Sequence, residues 1–251
     1  MAKVALVTGG AKRIGRAISL RLGRAGYAVA IHGREPSAEA ETLHAELVAS
    51  GGKAAIVTGD LADPAAVERL IPQARAALGP VTLLVNNASV FLPDDVRGLD
   101  PDVWEHQFAV NLRAPVFLAG AFAAQLPPDA QGAVVNILDQ RVWKLTPQFF
   151  SYTLAKAALR TATITMAQAL APRVRVNAVG PGPTLMSARQ DPEAFARQTA
   201  ALPLGTGPAP EDIAEAVLML AEARTVTGQM IAPDGGQHLA WQTPDVVGVS
   251  E

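Results

Sequence analysis

The sequence predicts an α/β protein in which a parallel sheet is covered by helices on both faces. Short apolar runs alternate with longer stretches whose apolar residues recur at helical spacing. The apolar runs show little polar alternation, which fits strands buried on both sides. With 251 residues, 49% of them hydrophobic and 18% charged, the chain is long enough and apolar enough to build one such domain.

The first run, 4–7, is β-rich and leads into a glycine turn. Ile14, Ala17, Ile18 and Leu22 then recur at helical spacing, so a helix is expected over 14–22, ended by Gly26. Strands are expected at 29–31 and 54–58, separated by a helix over 38–49 that Gly51-Gly52 closes. Asp63-Pro64 suits the N-cap and first turn of a helix over 65–78. A strand at 83–85 precedes a long helix over 103–126. Then follow a strand at 133–138, a helix over 152–171, a strand at 174–178, a helix over 213–223 and a last strand at 229–232. No repeat, low-complexity stretch or linker interrupts the pattern, so 1–251 reads as one domain. The segment at about 180–204, with Pro181, Pro183, Pro192 and Pro203, is expected to be irregular. Its length suits a loop over a substrate better than a domain boundary. The tail after Gly235 is short.

Composition narrows the function. The net charge of −2 leaves no basic excess for a nucleic-acid backbone or an anionic membrane. The absence of cysteine excludes disulfides, thiolate metal sites and cysteine nucleophiles. His32, His44, His106 and His238 are too scattered to suggest a metal site, and none is expected. The opening apolar run is too short for a signal peptide, and no segment approaches a membrane span. A soluble cytoplasmic protein acting on a small molecule is expected.

Thr8-Gly9-Gly10-Ala11-Lys12-Arg13-Ile14-Gly15 lies between the first strand and the first helix. Glycines there let backbone N–H groups approach a pyrophosphate, and the helix N-terminus adds its positive end. At the first strand–helix turn of a repeating βαβ chain, this predicts a dinucleotide site. After the second strand, where an acid usually accepts the adenine ribose hydroxyls, the chain has His32-Gly33-Arg34, with Glu35 one residue on. Arg34 and Arg13 suit a ribose phosphate, which favours NADP(H) over NAD(H).

Thr8-Gly9…Gly15, Asp60, Asn86-Asn87-Ala88, Asn111, Tyr152-x-x-x-Lys156 and Pro181-Gly182 occur in the order and spacing of short-chain dehydrogenases/reductases. The resemblance runs on through Thr227-Gly228-Gln229 to Asp234-Gly235-Gly236. It implies a single Rossmann-type, doubly wound domain with a seven-stranded parallel sheet, assembled as a homotetramer. It also implies a cofactor site built from Gly9, Arg13, Ile14, Gly15, His32, Arg34, Asp60, Leu61, Asn87, Ala88, Ser89, Tyr152, Lys156, Pro181, Gly182 and Thr184. Asn111 would hold a water continuing a proton path from the lysine, and Thr184 would contact the nicotinamide carboxamide.

Tyr152 and Lys156 are four residues apart and share a helix face. An ammonium beside a phenol is expected to lower the phenol's pKa from about 10, making the tyrosine a usable acid.

One position departs from the family pattern. A serine usually stands about 13 residues before the tyrosine; here that residue is Asp139. Serine donates to a carbonyl oxygen that gains charge during hydride transfer, whereas an ionised carboxylate would repel it. Asp139 therefore suits a substrate with N–H groups or a C=N nitrogen to be protonated. The chain resembles the branch of pteridine, dihydromonapterin and short-chain-type dihydrofolate reductases, which share this aspartate. It also has Arg13 where most members have glycine, Ser89 after Asn86-Asn87-Ala88, and Phe91 where that branch stacks the pterin.

The expected function is NADPH-dependent reduction of a dihydropterin or related C=N heterocycle. Asn111, Asp139, Tyr152 and Lys156 form the catalytic set, with Tyr152 as proton donor; Arg13, Ser89, Phe91, Asp139 and Tyr152 form the substrate set. One alternative is a general carbonyl or 3-oxoacyl reductase with protonated Asp139 in place of serine. Another is a protein that senses NADPH without turnover. The roles of Trp143 and Lys144, between pocket wall and subunit contact, stay open.

Overall fold

A computed structural model describes residues 2–186, 190–241 and 247. Seven strands form one sheet: β1 (Val4–Val7), β2 (Ala28–Gly33), β3 (Ala54–Thr58), β4 (Leu83–Asn86), β5 (Gly132–Ile137), β6 (Val174–Val179) and β7 (Met230–Ile231). All pair in parallel, in the order β3-β2-β1-β4-β5-β6-β7. Eight α-helices are described: α1 (Arg13–Arg24), α2 (Ala38–Ala49), α3 (Pro64–Leu78), α4 (Pro101–Phe108), α5 (Ala114–Gln125), α6 (Phe150–Leu170), α7 (Pro192–Ala200) and α8 (Pro210–Glu222).

Side-chain alternation along the strands makes two cores. In β1, Ala5 and Val7 join the core beneath α1, α2 and α8, while Val4 and Leu6 join the opposite core beneath α3 and α5. Both faces are therefore buried, which is why the strands read as continuous apolar runs. Helix starts follow local chemistry: Ser37 accepts from Ala40 N–H at 3.3 Å and Asp63 from Ala65 N–H at 2.9 Å.

Three expectations need correction. The helix expected over 103–126 begins at Pro101, with Asp100 as its cap, and contains a π turn over Ala109–Arg113 between α4 and α5. Pro101–Gln125 is also long and apolar enough, by length and composition, to cross a membrane, contrary to the expectation that no segment approached this. Its apolar side has another use: Ala114, Leu118, Ala119 and Phe122 are packed in the second core. The segment expected to be irregular contains α7, because Asp191 caps Ala194 N–H and Pro192 begins the helix instead of breaking it. Residues 187–189 of that segment, and most of the tail after Trp241, lie outside the described residues.

The strand order reverses at β1, so the loops after β1 and β4 diverge and leave a crevice at the carboxyl ends of the strands.

Phe122 is fully buried and fills the space beside Gly132, where a built Cβ would approach its ring to 2.6 Å. Phe122→Ala should cost about 3–5 kcal/mol in urea unfolding. A loss under about 1 kcal/mol would contradict this account of the second core.

Candidate active site

The turn after β1 is built around glycine. Gly9 has φ +60, and a Cβ on Gly15 would lie 2.0 Å from the Gly9 carbonyl oxygen. Arg13, where the family usually has glycine, also has a positive φ of 52. Thr8 Oγ1 accepts from Asn87 N–H at 2.9 Å and Ala88 N–H at 3.0 Å, and Asn87 Nδ2 donates to the Thr8 and Gly9 carbonyls. The loops after β1 and β4 are thus tied across the crevice mouth.

His32 anchors the same turn from β2. Its Nδ1 accepts from Gly9 N–H at 3.2 Å, and its Nε2 lies 2.9 Å from the Gly59 carbonyl, which assigns the proton to Nε2. Burial pushes its pKa below the ordinary histidine value. His32 therefore supports the cofactor loop with both ring nitrogens.

A hollow of about 430 Å³ lies over this turn, lined by Gly9, Ile14, Gly15, Arg34, Asp60, Leu61 and Ala88 among others. Lys12, which the sequence analysis passed over, lines it too and pairs with Glu39 at 2.7 Å. Arg34 pairs with Glu35 at 3.5 Å, and both side chains are exposed. Arg13 behaves differently from Arg34: its guanidinium donates to the Leu185 and Met186 carbonyls, at 3.0 and 3.1 Å. It bonds the loop after β6 while still lining the hollow with Lys12 and Arg34.

The hollow continues, through Arg13, Ile14, Asn87 and Ser89, into a cleft of about 720 Å³. Its floor carries Asp139, Tyr152 and Lys156. Tyr152 Oη donates to Asp139 Oδ2 at 3.1 Å, and Arg141 N–H donates to Asp139 Oδ1 at 2.8 Å. Lys156 Nζ donates to the Ile137 carbonyl at 2.7 Å and lies 5.7 Å from the Tyr152 ring centre.

The electrostatics differ from the sequence expectation. The Tyr152 pKa is pushed well above 10, first by burial and then by the charge of Asp139 and its hydrogen bond. Burial pushes Lys156 down to about 8 and raises Asp139, with Arg141, Tyr152 and Lys156 opposing the latter. The expected lowering by the lysine is not met, because burial opposes ionisation of the phenol and Asp139 adds to that effect.

Phe91 forms the wall. It stacks on Phe149 at 3.9 Å and 11° and meets Tyr152 edge-on at 4.6 Å. Asn111 lies in the π turn and is fully buried. Its carboxamide accepts from Ser89 Oγ at 2.8 Å and Val90 N–H at 3.0 Å, and donates to the Val90 carbonyl at 2.8 Å. It holds the loop that presents Ser89 and Phe91. Pro181, Gly182 and Thr184 line the cleft opposite, with Thr184 Oγ1 donating to the Gly182 carbonyl. Trp143 tilts against His238 at 4.9 Å and Lys144 reaches the Gln237 carbonyl at 3.4 Å, so both hold the C-terminal turn.

A second hollow, of about 730 Å³, opens at the other end of the sheet beside Lys3, Tyr27 and Arg175. Its Lys3 is paired with Glu222 and its Arg175 with backbone carbonyls. No comparable set of functional groups converges there.

A parallel sheet with a glycine turn at its switch point and a Tyr-x-x-x-Lys floor defines a dinucleotide-dependent oxidoreductase architecture. Residues 3–195 match the short chain dehydrogenase family, and the chain belongs to it. It is 53% identical to FolM alternative dihydrofolate reductase 1 from Brucella canis, solved in complex with NADP; the match covers 98% of this chain and 97% of that one with a TM-score of 0.95. A blue fluorescent protein from a metagenomic library, solved with NADPH, is 35% identical over 93% of this chain and 97% of its own, with a TM-score of 0.87. An uncharacterized oxidoreductase of Mycobacterium tuberculosis (strain CDC 1551 / Oshkosh) is 34% identical over 93% of this chain and 91% of its own.

The His32 environment has a pH signature. Its folded pKa lies below the unfolded value of about 6.5, so the unfolded state binds the proton more readily. Its stabilising contribution is complete above about pH 6.5 and is lost as pH falls. The difference in unfolding free energy between wild type and His32→Asn should narrow from pH 7.5 to pH 5.5 in urea titrations. A constant difference would contradict the buried neutral imidazole.

Proposed function

We propose that the chain is an NADPH-dependent reductase of dihydropterins or closely related C=N heterocycles. The observation that carries this reading is the contact of Tyr152 Oη with Asp139 Oδ2 at 3.1 Å, beneath the Phe91 wall. The carboxylate at the reacting end suits N–H donors and repels a developing oxyanion. The NADP-complexed dihydrofolate reductase relative, at 53% identity, supports the same assignment.

The residues present fit the dinucleotide. Gly9 and Gly15 leave room where a Cβ would collide, and Ile14, Asp60, Leu61, Asn87 and Ala88 would hold its adenosine and pyrophosphate portion. Arg34 and Lys12 would face a ribose phosphate, and Lys156 with Thr184 would hold the nicotinamide end. When bound, NADPH supplies hydride.

The chain's own groups supply the proton and the orientation. Tyr152 stays protonated, because burial and Asp139 both oppose its ionisation. Its proton is held at Oη, aimed at Asp139, and would pass to the substrate nitrogen. Asp139 would accept a ring N–H and keep the heterocycle in register with Tyr152. Phe91, backed by Phe149, would hold the ring flat and exclude water from that face. Ser89, whose hydroxyl proton is held by Asn111, would present its oxygen as an acceptor beside it.

A carbonyl-reductase reading keeps one supporting observation, since burial raises the Asp139 pKa toward the protonated form that could replace serine. The homotetramer belongs to the same proposal: Phe117 on α5 is 60% exposed, and Leu154 and Ile164 on α6 are exposed apolar residues that an assembly would cover.

Two measurements test the reading. kcat/KM with saturating NADPH should be higher for a dihydropterin than for a diketone. Tyr152→Phe should lose about 100-fold or more in turnover while still binding NADPH, and Asp139→Ser should lose dihydropterin activity selectively. A wild type that reduces the diketone and ignores every pterin would favour the carbonyl reading. In binding titrations NADPH should be tighter than NADH by at least tenfold, about 1.4 kcal/mol, and Arg34→Ala should lose most of that margin. Equal wild-type affinities would overturn the cofactor assignment.

A further inference from the structure

Arg141 follows Asp139 in a one-turn 3-10 helix, Gln140–Val142. Its backbone N–H donates to Asp139 Oδ1 at 2.8 Å, so cation and carboxylate share one turn. The guanidinium lies 5.3 Å from the Phe149 ring centre and 5.8 Å from that of Phe91. Phe91 meets Tyr152 edge-on at 4.6 Å, and the Tyr152 hydroxyl donates to Asp139 Oδ2 at 3.1 Å. One guanidinium N–H bonds the Thr146 hydroxyl, which itself donates to the Gln148 carbonyl at 3.3 Å. The cation is thus tethered on the aromatic wall beside the floor.

Among the described residues, no carboxylate pairs with Arg141 within 4.0 Å. Its charge is therefore not cancelled by an ion pair, and it favours the ionised form of both Asp139 and Tyr152. Two further cations line the cleft with Asp139. Lys156, beside Tyr152 on α6, donates to the Ile137 carbonyl and is brought nearer neutrality by burial. Arg13, from the turn after β1, donates to the Leu185 and Met186 carbonyls. The loops after β4 and β6 and the C-terminal turn present Ser89, Phe91, Thr184 and Gln237, which carry no charge. His238 and Asp234 of that turn pair with each other at 2.7 Å.

An ionised Asp139 accepts an N–H, whereas a protonated one can donate to a carbonyl oxygen as a serine would. Burial favours the protonated form; against it act first the Arg141 backbone N–H and then the Arg141 charge. We propose that Arg141 is a positioning residue for substrate choice: it keeps Asp139 an acceptor, so that the site takes heterocycles with N–H donors and refuses carbonyl substrates. The substrate consequence rests on the pterin reading above; the dependence of Asp139 on Arg141 does not. Replacing the side chain removes the charge and leaves the backbone bond, so the two influences separate.

The test uses the full chain as wild type, Arg141→Gln and Arg141→Lys. Carbon-13 NMR of labelled aspartate carboxyls follows Asp139 against pH without turnover, its signal identified by loss in Asp139→Asn. The Asp139 midpoint should move to higher pH in Arg141→Gln and return toward wild type in Arg141→Lys. With saturating NADPH, the ratio of kcat/KM for a diketone to that for a dihydropterin should rise about tenfold in Arg141→Gln, since a nearby opposite charge biases a carboxyl by about that factor or more. The fall of dihydropterin kcat/KM on acidification should also begin at higher pH. Arg141→Met, also neutral, takes the place of Arg141→Gln if that variant does not fold. Equal midpoints in wild type and the neutral variant would overturn the proposal whatever the substrate. So would an unchanged substrate ratio in a variant whose midpoint has moved. A wild type that reduces the diketone and ignores every pterin would overturn the pterin reading and the selectivity, while a moved midpoint in the same protein would still support the hold of Arg141 on Asp139.

Discussion

The site depends on how the protein closes the gap that its own sheet topology opens. With β1 between β2 and β4, the chain leaves β1 toward one face and β4 toward the other, so the two loops part at the sheet edge. The Thr8 hydroxyl and the Asn87 amide bridge that gap with four hydrogen bonds. His32 ties the same turn to the loop after β3. These bonds satisfy buried backbone groups that would otherwise be costly. They also hold Gly9 and Gly15 with bare backbone facing the crevice.

The floor of the cleft shows what one substitution does to an inherited arrangement. Tyr152 and Lys156 keep their spacing on α6, but Asp139 places a carboxylate against the hydroxyl. The phenol is then held in its protonated form, and burial brings the lysine nearer neutrality than a surface lysine. Burial and the neighbouring carboxylate thus both favour the protonated phenol.

The wall and the start of α6 are one construction. Asp94, in the loop after β4, accepts from Ser151 N–H at 3.1 Å, while its carbonyl accepts from Phe149 N–H at 2.9 Å. This satisfies helix N–H groups that lack an internal partner. Phe149 is held at φ 56 to enter the helix, a conformation that costs free energy for a bulky residue. In that position its ring backs Phe91 and passes beside Arg141. The loop carrying Phe91 and the helix carrying Tyr152 are therefore positioned together.

The alternation of apolar runs and amphipathic stretches was enough to place every strand to within two residues at either end, because burial on both faces leaves a strong local signal. The glycine turn, Tyr152, Lys156 and Asp139 were legible for a similar reason: their chemistry is local and their spacing is read along one chain. The π turn at Asn111 was not legible, since a longer hydrogen-bond step leaves no mark on apolar periodicity. Nor was α7, where prolines suggested a break although Pro192 begins the helix. The direction of the Tyr152 pKa was misread because sequence shows that a lysine is four residues away but not how deeply both are buried. Arg13, Lys12 and Arg141 make the same point. Each was visible as a cation, but only the folded chain decided that Arg13, at the hollow with Lys12, bonds the loop after β6 and that Arg141 lies over the aromatic wall. Side-chain direction depends on neighbours brought from distant parts of the chain, and that information is tertiary.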